Sequence, residues 1–365
     1  VNLRGNILRV LEGEEIAPLW ARAVSAGLAP VGWAYGGAMR LRRCLYASGL
    51  KEVVSSPCPV ISVGNLTFGG TGKTPAVAWV LSKLIGAGCQ PAVVSRGYGG
   101  KIKRVIVVND GAGGVLSSPP ASDEAVMLAR MFPPVPIVTG WDRPAATRKA
   151  AEFGVGAIVA DDGFQHLALE RMLDLVVLRG HCPFGNGRVF PAGALREPAI
   201  ALKSAGAVLL TGGEFQPGVL EKIRALAPRA KVFEGSLRLV GLLDIFGNPA
   251  GSPEDLSGAA VMAVSGIGNP GGFAQMLEGL GARVLTRTVF PDHTAYGGEE
   301  AERIVASLEA SGADFVVTTE KDAVKLGQFS DNPCFRVLRV QMEIREGDEL
   351  ARLVLDAAGI DPRRS

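Results

Sequence analysis

Residues 67–75, TFGGTGKTP, constrain the fold more than any other stretch. The apolar run at 60–63 just before them reads as a buried strand. After Thr74, apolar residues at Val77, Val80, Leu81, Leu84 and Ile85 trace one face of a helix. Strand, glycine-rich loop, Lys-Thr and helix together are the context that a phosphate-binding loop requires. Gly69, Gly70 and Gly72 let backbone N–H groups turn toward phosphate oxygens, with Thr71 in the same cradle. The helix start adds its positive end. Lys73 reaches the β- and γ-phosphates, and the Thr74 hydroxyl suits Mg²⁺, so the implied cofactors are ATP and Mg²⁺. One position departs from the general pattern G-x-x-x-x-G-K-[ST]: Thr67 stands where the first glycine belongs.

Short apolar runs alternate with helical periods through the rest of the chain. Strands are expected at 92–95, 105–108, 136–139, 157–160, 175–178 and 207–211, with helices near 123–131, 143–153 and 218–226. A second series holds strands at 261–265, 283–286 and 315–318, with helices at 273–280 and 300–310. This alternation predicts an α/β fold: a doubly wound, mostly parallel P-loop sheet with a second, smaller α/β domain. Strands near 235–243 and 334–340 would join the two. The expected domains are 1–50, an amphipathic membrane-associating segment; 51–234, the P-loop domain; 235–243, a linker strand; 244–333, the second domain; and 334–365, a return strand with a C-terminal helix.

A P-loop needs an acidic partner on a neighbouring strand. AIVADDGFQH (157–166) supplies Asp161 and Asp162 at the carboxyl end of an apolar run, where ligands bind in open α/β sheets. One carboxylate is expected to bind or orient Mg²⁺. Other classes find little support. A net charge of +2 gives no field for nucleic acid, which is not expected as a partner. The five cysteines are scattered with no C-x-x-C pair, against a zinc site or a disulfide framework.

Residues 1–15 mix Arg4, Arg9, Glu12, Glu14 and Glu15 with apolar residues and do not read as a signal peptide. From Ala23 to Met39 no residue is charged, but five glycines and prolines interrupt the run. Arg40, Arg42 and Arg43 follow. Aromatics and a basic cluster beside an apolar stretch suit an interfacial anchor on an anionic membrane; a helix packed on the domain is the other reading.

Seven motifs occur in order: SVGNLTFGGTGKTP (62–75), SRGYGG (95–100), DDGFQH (161–166), FPAGALREP (190–198), SGIGNPGGF (265–273), FPDHTAY (290–296) and TTEKDAVKL (318–326). Together they resemble the tetraacyldisaccharide 4′-kinase family of lipid A synthesis, from about residue 15 to 330. The threonine-initiated loop is part of that family's pattern. The resemblance implies transfer of the ATP γ-phosphate to the 4′-hydroxyl of a tetraacylated glucosamine disaccharide 1-phosphate, giving lipid IVA, at the cytoplasmic face of the inner membrane. It implies that Asp123 is the general base and His293 its partner. Asp123 by itself reads as a residue at a helix start. Arg196 is a candidate for stabilising the transferring phosphoryl group, and Glu197 for the Mg²⁺ shell. Gln165 and His166 are candidates for nucleotide or metal-bound water, Arg96 and Tyr98 for substrate, Arg143 for phosphate. Pairing Asp123 with His293 across two domains would require closure of a cleft. SGIGNPGGF reads as a strand–turn–helix hinge.

The alternative is a partition- or septum-type switch ATPase on the membrane. That class carries a lysine five positions before the P-loop lysine, where this chain has Phe68.

Overall fold

The computed structural model describes residues 10, 11, 13, 18–96, 104–116, 121–212, 215, 217–267, 270–291, 296–327 and 332–361. In chain order the strands are β1 (Val60–Gly64), β2 (Pro91–Ser95), β3 (Ile106–Asn109), β4 (Ile137–Thr139), β5 (Ala157–Asp161), β6 (Leu173–Arg179), β7 (Ala207–Thr211), β8 (Lys231–Leu243), β9 (Pro249–Gly251), β10 (Ala260–Ser265), β11 (Arg283–Val289), β12 (Phe315–Thr319) and β13 (Phe335–Ile344). The helices are α1 (Leu19–Gly27), α2 (Ala29–Ala47), α3 (Lys73–Gly86), α4 (Asp123–Met131), α5 (Arg143–Ala151), α6 (Val219–Leu226), α7 (Pro270–Gly279), α8 (Gly298–Ser311), α9 (Glu320–Leu326) and α10 (Gly347–Ala357).

The chain forms two compact units. The larger comprises Val1–Arg96, Gly140–Ser236 and Met342–Ser365; the smaller comprises Gly97–Thr139 and Leu237–Gln341. This division differs from the expected domains in one respect that matters. Residues 97–139, with α4 and Asp123, belong to the second unit, not to the P-loop unit. β8 passes from one unit to the other at Ser236, and β13 returns at Met342.

In the larger unit the strands β8-β7-β6-β1-β5-β2 lie side by side in that order, each pairing in parallel with its neighbour. β1, β5, β6 and β7 are buried at every residue, as strands covered on both faces must be. Their residues Val176, Leu178, Val208 and Leu210 share one core with Leu66, Phe164 and Leu195. Strand order reverses at β1, with β5 and β2 on one side and β6, β7 and β8 on the other, so the carboxyl ends of β1 and β5 form the crevice where α/β sheets take ligands.

α1 and α2 invert the usual helix pattern. Their small residues face inward: Ala21, Ser25, Ala29, Gly32 and Gly36 are buried. A Cβ on Gly32 would lie 2.9 Å from the Val189 carbonyl, so this close approach requires glycine. Ser25 Oγ donates to the Ala192 carbonyl at 2.7 Å. Leu19, Val31, Trp33 and Leu41 are exposed. No described helix is long and apolar enough to cross a membrane.

The smaller unit carries the parallel order β11-β10-β12-β13, an antiparallel β8–β9 hairpin and an antiparallel β3–β4 pair. Its core gathers Met262, Val264, Ile304, Val316 and Phe335.

Candidate active site

The loop after β1 is braced from both sides. Asn65 Nδ2 donates to the Thr67 carbonyl at 2.7 Å and to Thr71 Oγ1 at 3.2 Å. Thr211 Oγ1, at the end of β7, donates to the Thr71 carbonyl at 2.9 Å. Gly69 (φ 100°) and Gly72 (φ 81°) take left-handed conformations, and Gly72 caps α3. Gly70 does not need such a φ. Thr67 also keeps an ordinary φ. It bridges antiparallel to Leu195, while Phe68 N–H donates to the Ala194 carbonyl and Arg196 N–H to the Leu66 carbonyl. Residues 194–196 therefore lie along the loop as a short strand would, and a strand position has no use for the glycine of the general pattern.

That pairing delivers Arg196 to the site. Its Nη1 donates to Asp162 Oδ1 and Oδ2 at 2.9 and 2.8 Å. Lys73 Nζ, on the first residue of α3, stands 3.6 Å from Asp162 Oδ1. Asp162 follows β5 directly and holds a left-handed φ of 53°, which turns its carboxylate between the two cations. Burial would raise this carboxyl, but Lys73, Arg196 and Arg143 outweigh it and bring it down to about 2. Asp161 points elsewhere: its Oδ2 accepts from Ser95 Oγ at 3.2 Å. Arg143 is buried and donates to the Gly140 and Asp161 carbonyls at 3.0 and 3.3 Å. Burial lowers it to about 10 against the pull of Asp161 and Asp162, so it is charged at neutral pH. Its hydrogen bonds tie Gly140, just before α5, to Asp161 at the end of β5.

Gln165 Nε2 donates to the Asn65 carbonyl at 2.8 Å. Gln165 Oε1 and Arg196 Nε are buried with no hydrogen-bond partner among the described residues. Such orphaned polar atoms beside a glycine loop suit a bound polar ligand. His166 is driven down to about 3 by burial and by Arg143, partly countered by Asp162, so its imidazole is neutral above that pH. Glu197 does not face the expected Mg²⁺ shell. It is 1% exposed and its carboxylate is gripped by the Arg43 guanidinium. Arg43 also donates to Ser204 Oγ and the Phe164 carbonyl and lies over the Phe164 ring, while Arg42 donates to the Gln165 carbonyl. Two of the three arginines expected at a membrane surface thus clamp α2 onto the DDGFQH loop. A long guanidinium reaches inward as readily as outward, so sequence alone does not choose.

Thr74 is the second residue of α3 and half-buried. Its hydroxyl and the carboxylates that close β5 are hard oxygen donors of the kind Mg²⁺ takes beside phosphates and water. Sequence reasoning passed over Arg179. It ends β6, is 9% exposed, and its Nη2 lies 3.8 Å from where a Gly69 Cβ would sit. A charged residue closing the apolar run 175–178 was the available signal.

In the smaller unit, Asp123 is the first residue of α4 and 3% exposed, with Ser122 Oγ capping the helix. The helix start favours its negative charge. Lys325 Nζ stands 3.5 Å from Asp123 Oδ2 and 3.6 Å from Asp322 Oδ1; Lys321 Nζ stands 3.0 Å from Glu124 Oε1. Asp123 and the residues flanking position 293 share this unit, so the expected cleft closure between them is not required. His293 and Tyr98 lie outside the described residues. Arg96 stacks over Trp141.

Parallel strands, a glycine loop braced at β1 and a lysine opening the next helix define a P-loop phosphate-binding protein. Comparison with known proteins narrows this class. The tetraacyldisaccharide-1-P 4′-kinase family model matches residues 24–358. A tetraacyldisaccharide 4′-kinase of Anaeromyxobacter sp. (strain K) is 43% identical over 335 residues, covering 89% of this chain and 88% of its own length. Its counterpart in Geobacter metallireducens is 40% identical, covering 84% and 90%. A crystal structure of apo-form LpxK from Aquifex aeolicus in complex with ATP matches with a TM-score of 0.75 at 29% identity, covering 92% of this chain and 99% of its own. The chain belongs to the tetraacyldisaccharide-1-P 4′-kinase family.

Proposed function

We propose that the protein transfers the γ-phosphate of ATP to the 4′-hydroxyl of a tetraacyl glucosamine disaccharide 1-phosphate, at the surface of a membrane. The observation that carries the reading is the convergence of Lys73 and Arg196 on Asp162 beside the glycine loop, in a chain of this family. The Lys73–Asp162 separation of 3.6 Å is too long for a hydrogen bond, so the ammonium is free to exchange toward a phosphate oxygen. Arg196, bonded to Asp162 beside the loop, is the residue that would offset charge on the transferring group. Thr74 and one of Asp161 and Asp162 are the residues that would hold Mg²⁺, whose charge would offset that of the phosphate oxygens. Asp123 takes the proton of the 4′-hydroxyl as its oxygen bonds to phosphorus and ADP departs, with His293 as its partner.

A lipid substrate is supported by the surface around the loop. Phe68 and Phe190 are about half exposed, with ring centroids 5.6 Å apart. Tyr35 of α2 continues the series, and the Arg196 guanidinium lies over Phe68. This aromatic path runs from the helix with exposed Val31, Trp33 and Leu41 to the phosphate-handling arginine. It gives Phe68 a use that a switch lysine would not have.

The test is phosphate transfer from labelled ATP, with Mg²⁺, to the detergent-solubilised disaccharide 1-phosphate. Wild type should yield labelled lipid, and Lys73→Ala and Asp123→Ala should not. ATP hydrolysis without labelled lipid would refute the proposal in favour of a switch ATPase.

A further inference from the structure

Two lines of contact run from α2 to the phosphate site. The first begins at Arg42, whose Nη1 donates to the Gln165 carbonyl at 3.0 Å. Gln165 Nε2 in turn holds the Asn65 carbonyl, and Asn65 Nδ2 braces the glycine loop at the Thr67 carbonyl and Thr71 Oγ1. The second begins at Arg43. Its Nε and Nη2 grip the Glu197 carboxylate, its Nη1 donates to Ser204 Oγ at 2.9 Å, and its Nη2 reaches the Phe164 carbonyl at 3.4 Å. Glu197 adjoins Arg196, whose N–H is fixed on the Leu66 carbonyl at 2.7 Å and whose guanidinium holds Asp162. Two consecutive residues of one helix therefore bear on the glycine loop, on the segment after β5 and on Arg196.

The helix is a firm base for these contacts. Its glycines pack closely on the stretch that leads into Arg196: a Cβ on Gly32 would lie 2.9 Å from the Val189 carbonyl, and one on Gly36 3.5 Å from Pro198. Both arginines spend their donors on peptide carbonyls, a hydroxyl and Glu197, so they act on the site through other residues. A guanidinium offers several donors in a fixed fork, whereas an ammonium is a single point of charge. Arg43 uses three nitrogens on three partners, so a lysine there would keep the charge opposite Glu197 and lose the fork. Phosphoryl transfer depends on placement, and a shift of about 1 Å can cost about 100-fold in rate.

We propose that Arg42 and Arg43 are positioning residues for phosphoryl transfer, with α2 as the wall on which the segments bearing Asp162, Gln165 and Arg196 are set. This use of α2 is separate from contact with a lipid surface, because the two guanidiniums bond to the protein while Trp33 and Leu41 of the same helix are exposed. The proposal rests on the reading of Arg196 as the residue that offsets charge on the transferring group.

The test measures kcat and the lipid KM in the phosphorylation assay for Arg42→Met and Arg43→Lys, with flotation on anionic vesicles alongside. Positioning predicts a kcat loss of about tenfold or more for each, with the lipid KM and the vesicle partition changed less than about twofold. Arg43→Lys is repeated in an Arg196→Met background and Arg42→Met in a Gln165→Ala background. There each should change the residual rate by less than about twofold, because the line of contact it serves is already cut. A kcat within about threefold of wild type for both variants overturns the proposal. So does a kcat loss matched by an equal loss of vesicle partition, which makes α2 an anchor only, and so does an equal loss in both backgrounds, which marks a purely structural role. If Arg43→Lys does not fold, Arg42→Met, which strands no buried charge, carries the same comparison. Wild-type turnover in Arg196→Met alone would defeat the reading of Arg196 itself. A slow Arg196→Met beside fully active Arg42→Met and Arg43→Lys would defeat only the role of α2.

Discussion

Replacing Arg43 with methionine would leave Glu197 buried without its cation. The arginine grips both carboxylate oxygens, donates to Ser204 and Phe164, and covers the Phe164 ring. Breaking a buried pair from one side costs about 3–5 kcal/mol. Arg43 keeps 17% of its surface in water while Glu197 keeps 1%, which places the loss near the lower end, at about 3 kcal/mol. For a unit of roughly 200 residues this corresponds to a fall in Tm of roughly 6–12 °C. Differential scanning calorimetry of the full chain would measure it, with Arg43→Met/Glu197→Gln as partner. The double variant should recover at least half of the fall, because the stranded charge is gone. A single variant within about 2 °C of wild type would refute the reasoning. A double variant no better than the single would show that the loss comes from packing and not from the stranded carboxylate.

Three further outcomes are expected. Stability should decline in acid. Asp162 has a folded value of about 2 against an ordinary 3.8, so it contributes about 2 kcal/mol above pH 3.8 that is lost toward pH 2. The lowered imidazole of His166 acts in the same direction between 6.5 and about 3, where the unfolded chain takes the proton first; His166→Asn should flatten that upper part of a urea-midpoint profile against pH. Gly64→Ala should cost about 1–3 kcal/mol by thermal melting, because the new Cβ would stand 2.5 Å from Phe164 Cβ and 2.9 Å from its backbone nitrogen. Trp33→Ser with Leu41→Ser should lower partition onto anionic vesicles by about tenfold or more in a flotation assay, since both side chains are exposed apolar surface; unchanged partition would remove the membrane-facing role of α2.

The sequence by itself determined the elements whose cause is local. Hydrophobic periodicity placed β7 and α4 at the bounds the structure shows, and β1, β5 and β10 within a residue of theirs. The loop at 67–75 was legible because a glycine cradle, a lysine and a helix start are consecutive in the chain. Asp161 and Asp162 were legible as a pair closing an apolar strand. Which of them faces Lys73 was not, because a single left-handed residue turns Asp162 and leaves Asp161 bonded to Ser95. Tertiary structure alone decided the rest. Arg43 and Glu197, 154 positions apart, meet only because α2 packs its glycines on the segment around Val189 and Ala192. Residues 97–139 join the smaller unit because α4 packs against α9, across some 200 residues of chain that no local pattern links. Periodicity records what each segment buries. It does not record against whom, and a charged side chain's partner is set by the packing that brings two distant segments together.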